Sequence, residues 1–152
     1  MEYFTKEEKI DDKIVRVKIW DTAGQEKFKS LTRNFYKNSH GVIICYDVTN
    51  RQSFENIETW VDSIKDNSAS NIKMVLVGNK IDLEREVTTE EGERLAQYYH
   101  VPFFETSAKT NIGINECFLK LITDVVIDFQ QIGEGVKLEN KSENKSSDGC
   151  KC

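Results

Sequence analysis

No Gly-x-x-x-x-Gly-Lys-Ser/Thr segment occurs in this chain; it has eight glycines, and none is followed by lysine. Such a segment cradles phosphates with backbone N–H groups and one lysine, so the sequence carries no device of that kind. A basic surplus is lacking too. The net charge is −5, which argues against a general nucleic-acid binder. Long apolar runs are missing: Val42-Ile43-Ile44-Cys45 falls far short of the roughly 20 residues a membrane-spanning helix needs. Met1 to Glu8 has no apolar stretch, so no signal peptide is expected. The four cysteines do not resemble a disulfide framework. Cys45 sits in an apolar run and Cys117 in a helical pattern, and both are expected as buried thiols. Cys150 and Cys152 end the chain, with His40 and His100 distant in sequence, which gives no metal-ligand spacing. A reducing, cytosolic compartment is the expectation.

The chain has 152 residues, 38% hydrophobic and 31% charged, enough for one soluble domain with a proper core. Residues 2–20 read as a hairpin. Val15, Val17 and Ile19 alternate with Arg16, Lys18 and Trp20, Asp11-Asp12 is the turn, and the charged arm from Tyr3 to Ile10 suits an edge strand. Val42–Val48, Met74–Val77 and Val101–Phe104 are continuously apolar, as in strands covered on both faces of a parallel sheet. Helical patterns separate them. Phe54, Ile57, Val61 and Ile64 form one stripe. Thr88-x-x-Glu91 forms a capping box ahead of Leu95, Ala96 and Tyr99. Ile114, Phe118, Leu121, Val125 and Phe129 form the longest stripe. The alternation predicts right-handed crossovers and a doubly wound α/β sheet, with ligands beyond the carboxyl ends of its strands. Residues 1–132 are read as the domain. Residues 133–152 are polar and charge-balanced, and are read as a disordered tail.

Three motifs fall at that carboxyl edge. Asp21-Thr22-Ala23-Gly24-Gln25 follows the strand ending at Trp20. Asp-x-x-Gly alone reads as a surface turn. With Trp20, Thr22, Ala23 and Gln25 around it, a magnesium and phosphate site is the better reading. Asp21 can hold magnesium through water, Gly24 admits a phosphate, and Gln25 can orient an attacking water toward a γ-phosphoryl group. Asn79-Lys80-Ile81-Asp82 follows the Met74 strand. In isolation, a polar surface loop explains this tetrapeptide equally well. A carboxylate at Asp82 can accept the ring N–H and the exocyclic amine of guanine, a donor pair adenine lacks, and the Lys80 stem can lie along the base plane. Thr106-Ser107-Ala108-Lys109 follows Phe103-Phe104. There the Ala108 N–H could meet the guanine carbonyl while Ser107 braces Asp82.

In this order, and with the terminal Cys150-Lys151-Cys152, these motifs closely resemble a Rab-type small GTPase from about Glu2 to Phe129 plus the terminus. The resemblance implies that Asp21 is the magnesium-side aspartate, Gly24 the γ-phosphate contact and Gln25 the catalytic, water-positioning residue, with Thr22 and Ala23 beside the nucleotide. Asn79, Lys80 and Asp82 would select the base, and Ser107, Ala108 and Lys109 would form the second base loop. Leu31, Phe35 and Tyr36 fall in switch II, where partners read the nucleotide state. Cys150 and Cys152 resemble a doubly prenylated Cys-x-Cys end, which suits a tail without a polybasic patch, since stable anchoring takes two signals. The implied ligands are Mg2+ and GTP or GDP. The implied partners are exchange factors, GTPase-activating proteins, a Rab escort protein, a GDP-dissociation inhibitor and effectors. The implied place is the cytoplasmic face of intracellular membranes, in exchange with the cytosol.

The expected fold is therefore α/β, P-loop NTPase-like, with a doubly wound, mostly parallel sheet. The family's first strand, phosphate loop, first helix and switch I are absent from it. In the family's sheet that strand lies between the one ending at Trp20 and the one starting at Val42. Three readings follow: an N-terminally incomplete GTPase of vesicle traffic, a catalytically inactive lipid-anchored interaction module, or a truncated fragment that does not fold.

Overall fold

The computed structural model describes residues 3–22, 36–68 and 71–139, the side chains of 132–139 excepted. Strands β1 (Tyr3–Ile10) and β2 (Lys13–Trp20) form an antiparallel hairpin that pairs Tyr3 with Trp20 and Ile10 with Lys13. The turn is Asp11-Asp12, and Asp11 takes φ 53, a left-handed value that aspartate tolerates. Among the described residues β1 pairs only with β2, so it is the edge its charge suggested. Tyr3 and Trp20 stack across the pair with centroids 5.0 Å apart.

A second sheet has the order β3-β4-β5. It is built from β3 (Gly41–Asp47), β4 (Lys73–Asn79) and β5 (Phe103–Glu105), and both of its ladders are parallel. Alternation along these apolar strands feeds two cores. Ile44, Tyr46 and Leu76 face one side, against Ile57, Val61 and Ile64 of one helix and Ala96 of another. Val75 and Val77 face the opposite side, against Cys117 and Leu121. Helices on both faces are why the strands carry no polar face, and they make the sheet doubly wound as expected. Among the described residues no ladder joins β2 to β3, and the division falls where the resemblance places the family's first strand.

The stripe from Phe54 to Ile64 lies on two helices, α1 (Arg51–Glu55) and α2 (Ile57–Asn67), with Asn56 between them. Asparagine competes with the helix backbone for hydrogen bonds and favours such junctions. Helix α3 (Thr89–Tyr99) carries the expected capping box: Glu91 N donates to Thr88 Oγ1 at 3.3 Å and Thr88 N donates to Glu91 Oε2 at 2.9 Å.

Helix α4 spans Ile114–Glu139, seven residues beyond the Ile132 boundary expected for the domain. Once a helix is nucleated, each further residue adds a hydrogen bond at little cost, so low apolar content alone did not end it. The stripe on α4 is buried at Leu121, whereas Phe129 is 52% exposed and meets the His40 ring in a T-shaped pair with centroids 4.9 Å apart. Two further expectations need correction. Cys117 is buried, but Cys45 is exposed, because β3 is the outer strand of its sheet among the described residues. Tyr36, placed by the resemblance in switch II where partners read the nucleotide state, is 7% exposed and belongs to the core with Ile57 and Val61. No described helix is long and apolar enough to cross a membrane.

Candidate functional site

The carboxyl ends of β4 and β5 lie side by side. Thr106 N donates to Gly78 O at 2.8 Å and Ile81 N to Thr106 O at 3.2 Å. This backbone lacing brings two loops together that are far apart in sequence. Side chains then lock them. Asn79 Oδ1 accepts from Thr106 Oγ1 at 3.2 Å and from Ala108 N at 3.1 Å. Ser107 is fully buried; its hydroxyl donates to Asp82 Oδ1 at 2.6 Å and accepts from Thr110 N at 3.1 Å. Lys109 Nζ stands 3.9 Å from Asp82 Oδ2. The Ser107 bond, ahead of every other influence, holds the Asp82 carboxyl below its ordinary pKa.

Asp82 is therefore an oriented anion with capacity to spare. An ionised carboxylate accepts at about four lone-pair positions, and Ser107 occupies one. Two parallel donors could bind the remaining face. Ala108 departs from expectation: its N–H is engaged by Asn79 Oδ1, so a ligand carbonyl would have to share or displace that bond.

The second loop is closed by a bridge between Ser107 and Ile112. Gly113 follows at φ 69, where an added Cβ would lie 2.4 Å from Glu105 O. Glycine is required there twice over, for the left-handed backbone and for the close approach.

Lys80 also has a left-handed backbone, φ 69, and its ammonium lies 2.5 Å from Asp47 Oδ2. That bond raises the Lys80 pKa. Burial alone would raise the Asp47 carboxyl, but the bonds from Lys80 and Thr49 outweigh it and hold it below its ordinary value.

The structure thus brings together Asn79, Lys80, Asp82, Ser107, Ala108 and Lys109. Asp21 and Thr22 are exposed, immediately after β2. Ala23, Gly24, Gln25, Leu31, Phe35, Cys150 and Cys152 lie outside the described residues. Sequence reasoning missed Asp47 and gave Thr106 no role within its motif. The sequence signal for Asp47 is limited to its being the polar residue of an otherwise apolar run; its pairing with Asn79 comes from the ladder.

The Ras family model matches residues 1–127. The chain is 43% identical over 120 residues to the Ras-related protein Rab-13 of Rattus norvegicus, covering 78% of this chain and 59% of that protein. It is 39% identical over 141 residues to Rab-13 of Bos taurus, covering 91% and 68%. It is 38% identical over 144 residues to Rab-8A of Rattus norvegicus, covering 93% and 67%. This chain is a Rab-type member of the Ras family of small GTPases. It spans only about three-fifths to two-thirds of the length of these relatives.

Besides a phosphate-loop hydroxyl, which this sequence lacks, a Rab-type magnesium site asks for one carboxylate, because Mg2+ keeps several waters and binds phosphate oxygens. The exposed Asp21 carboxylate, free of a crowding acidic neighbour in sequence, fits that requirement. Among the described residues no group of three His, Cys, Asp or Glu side chains forms a self-sufficient metal cage.

Proposed function

We propose that this Rab-type chain binds guanine nucleotide at the Asn79, Asp82 and Ser107 site, and that its function is hydrolysis of GTP to GDP as a switch in vesicle-mediated transport. The observation that carries the reading is the Asp82 carboxylate, braced by the buried Ser107 hydroxyl at 2.6 Å. A fixed anion at that place rewards guanine, which has two adjacent donors, and leaves adenine unpaired. Lys80 and Lys109 flank it and would cover the faces of the base with their stems.

Asp21 would hold Mg2+ through water, and the ion would neutralise phosphate charge. Gln25 would orient the attacking water and Gly24 would contact the γ-phosphate. Thr22 and Ala23 would complete the turn. By family, the partners are exchange factors, GTPase-activating proteins, an escort protein, a GDP-dissociation inhibitor and effectors. Prenyl groups on Cys150 and Cys152 would attach the protein to the cytoplasmic face of intracellular membranes.

Titration of the 15N-labelled 152-residue chain with millimolar guanosine, GDP and ADP tests the base site. The amides of Asp82 and Ala108 should shift with both guanine compounds and stay put with ADP. An equal response to ADP would refute guanine selection. Because the sequence has no phosphate-loop motif, affinity should be weak, and submicromolar binding by this chain would contradict that expectation.

A further inference from the structure

Asp47 belongs to none of the motifs, yet both of its carboxylate oxygens are engaged beside the base loops. Its Oδ1 accepts from Thr49 N at 2.9 Å and from Thr49 Oγ1 at 2.7 Å. Its own N–H donates to Ser53 Oγ at 3.0 Å on α1. The adjacent Val48 N donates to Asn79 O at 3.0 Å, which ties this corner to the Asn79 motif through the backbone. With Oδ1 occupied, Oδ2 is left to face Lys80 Nζ at 2.5 Å.

Lys80 needs such a partner. Its side chain is 51% exposed against 22% for Asp47, and its left-handed backbone is one a lysine rarely adopts. A free lysine there would sample many rotamers, each placing its methylenes differently. With the head held at Asp47 Oδ2, the stem has fewer rotamers open to it.

We propose that Asp47 is a positioning residue for the base site, holding the Lys80 ammonium so that the Lys80 stem forms one wall of the slot in which Asp82 reads the base. This rests on the guanine reading above. Asp47 touches no ligand; it acts through Lys80. It also ties the site to α1 through Ser53.

The test is a double-mutant cycle on the full chain, with GDP titrated into wild type, Asp47→Asn, Lys80→Met and the double variant, followed at the Asp82 and Ala108 amides. Asp47→Asn should weaken GDP by about twofold to fivefold, the range of a partly exposed ion pair. It should weaken guanosine by the same factor, since the Lys80 stem meets the base and not the phosphates. In the Lys80→Met background the same change should cost nothing further. An equal loss in both backgrounds, or no loss in either, overturns the proposal. The exchange rate of the Lys80 ammonium protons supplies a second reading if Lys80→Met abolishes binding. Protection should be present in wild type and lost in Asp47→Asn, and unchanged protection also overturns the proposal. If wild type shows no shift with guanosine or GDP, the guanine reading itself has failed. Shifts with an unaltered affinity in Asp47→Asn defeat only the role of Asp47.

Discussion

Asp82→Asn should invert the base preference, and the structure says which way the new amide will point. Ser107 Oγ already accepts from Thr110 N at 3.1 Å and donates its proton to Asp82 Oδ1 at 2.6 Å. Ser107 is fully buried, so its O–H has no water to turn to, and an unmet buried donor is costly. The oxygen of the substituted amide must therefore take the Oδ1 place. Its NH2 group takes the Oδ2 place, toward the ligand. Guanine presents donors there, so donor meets donor. Losing charge-assisted bonds and leaving two groups unpaired should reduce guanine affinity on the order of a hundredfold. Xanthine presents an acceptor where guanine has its amine, and it should gain relative to guanine. The assay is competition between guanosine and xanthosine, and between GTP and XTP, read at the Ala108 amide. If guanine still wins by its original margin, either Asp82 does not read the base or Ser107 does not fix the carboxylate. Ser107→Ala separates these two cases, because without the brace the amide can flip and the inversion should be partial.

Other outcomes follow from single features. Gly113→Ala should destabilise the domain by about 2 kcal/mol or more in urea unfolding, since the residue sits at φ 69 and its Cβ would meet Glu105 O; an unchanged midpoint would show that the loop relaxes freely. The Arg51 guanidinium, at 2.6 Å, holds the Glu91 carboxyl down at about 2 from an ordinary 4.5. Its contribution is thus present above about pH 4.5 and lost as pH falls toward 2. Glu91→Gln should flatten the acid limb of the stability profile in that window, and an identical limb would show the pair idle. Joined behind the phosphate-loop segment of a Rab relative, Gln25→Leu should leave GTP affinity nearly intact and slow single-turnover hydrolysis sharply; an unchanged rate would remove Gln25 from the mechanism. In the same fusion, changing both Cys150 and Cys152 to Ser should release the protein from cell membranes, while either single change leaves weak attachment. A double variant that still pellets with membranes would defeat the lipid reading.

Local pattern was enough for several features of this protein. Strict alternation in Val15, Val17 and Ile19 marked β2. Continuous apolar runs marked the parallel strands, because strands covered on both faces have no reason to alternate. The Thr88 capping box needed only four residues, and both of its bonds form. The Ser107–Asp82 pairing is likewise expected from two strings that each follow a strand, and the bond is present at 2.6 Å. Other features depend on what lies beside a residue in space, which spacing does not encode. An apolar run around Cys45 and a helical stripe through Cys117 both suggest burial, yet only Cys117 is packed into a core, with Val75 and Val77 of β4 and Leu121 of α4. The resemblance alone places Tyr36 in switch II, and its burial in the cluster that includes Ile57 and Val61 of α2 shows only in the fold. The end of α4 depended on propagation from a helix already anchored at Cys117 and Leu121. The partner of Lys80 is Asp47, 33 residues earlier in the chain. Only the parallel register of β3 on β4, which sets Asp47 beside Asn79, brings that carboxylate within reach of the lysine.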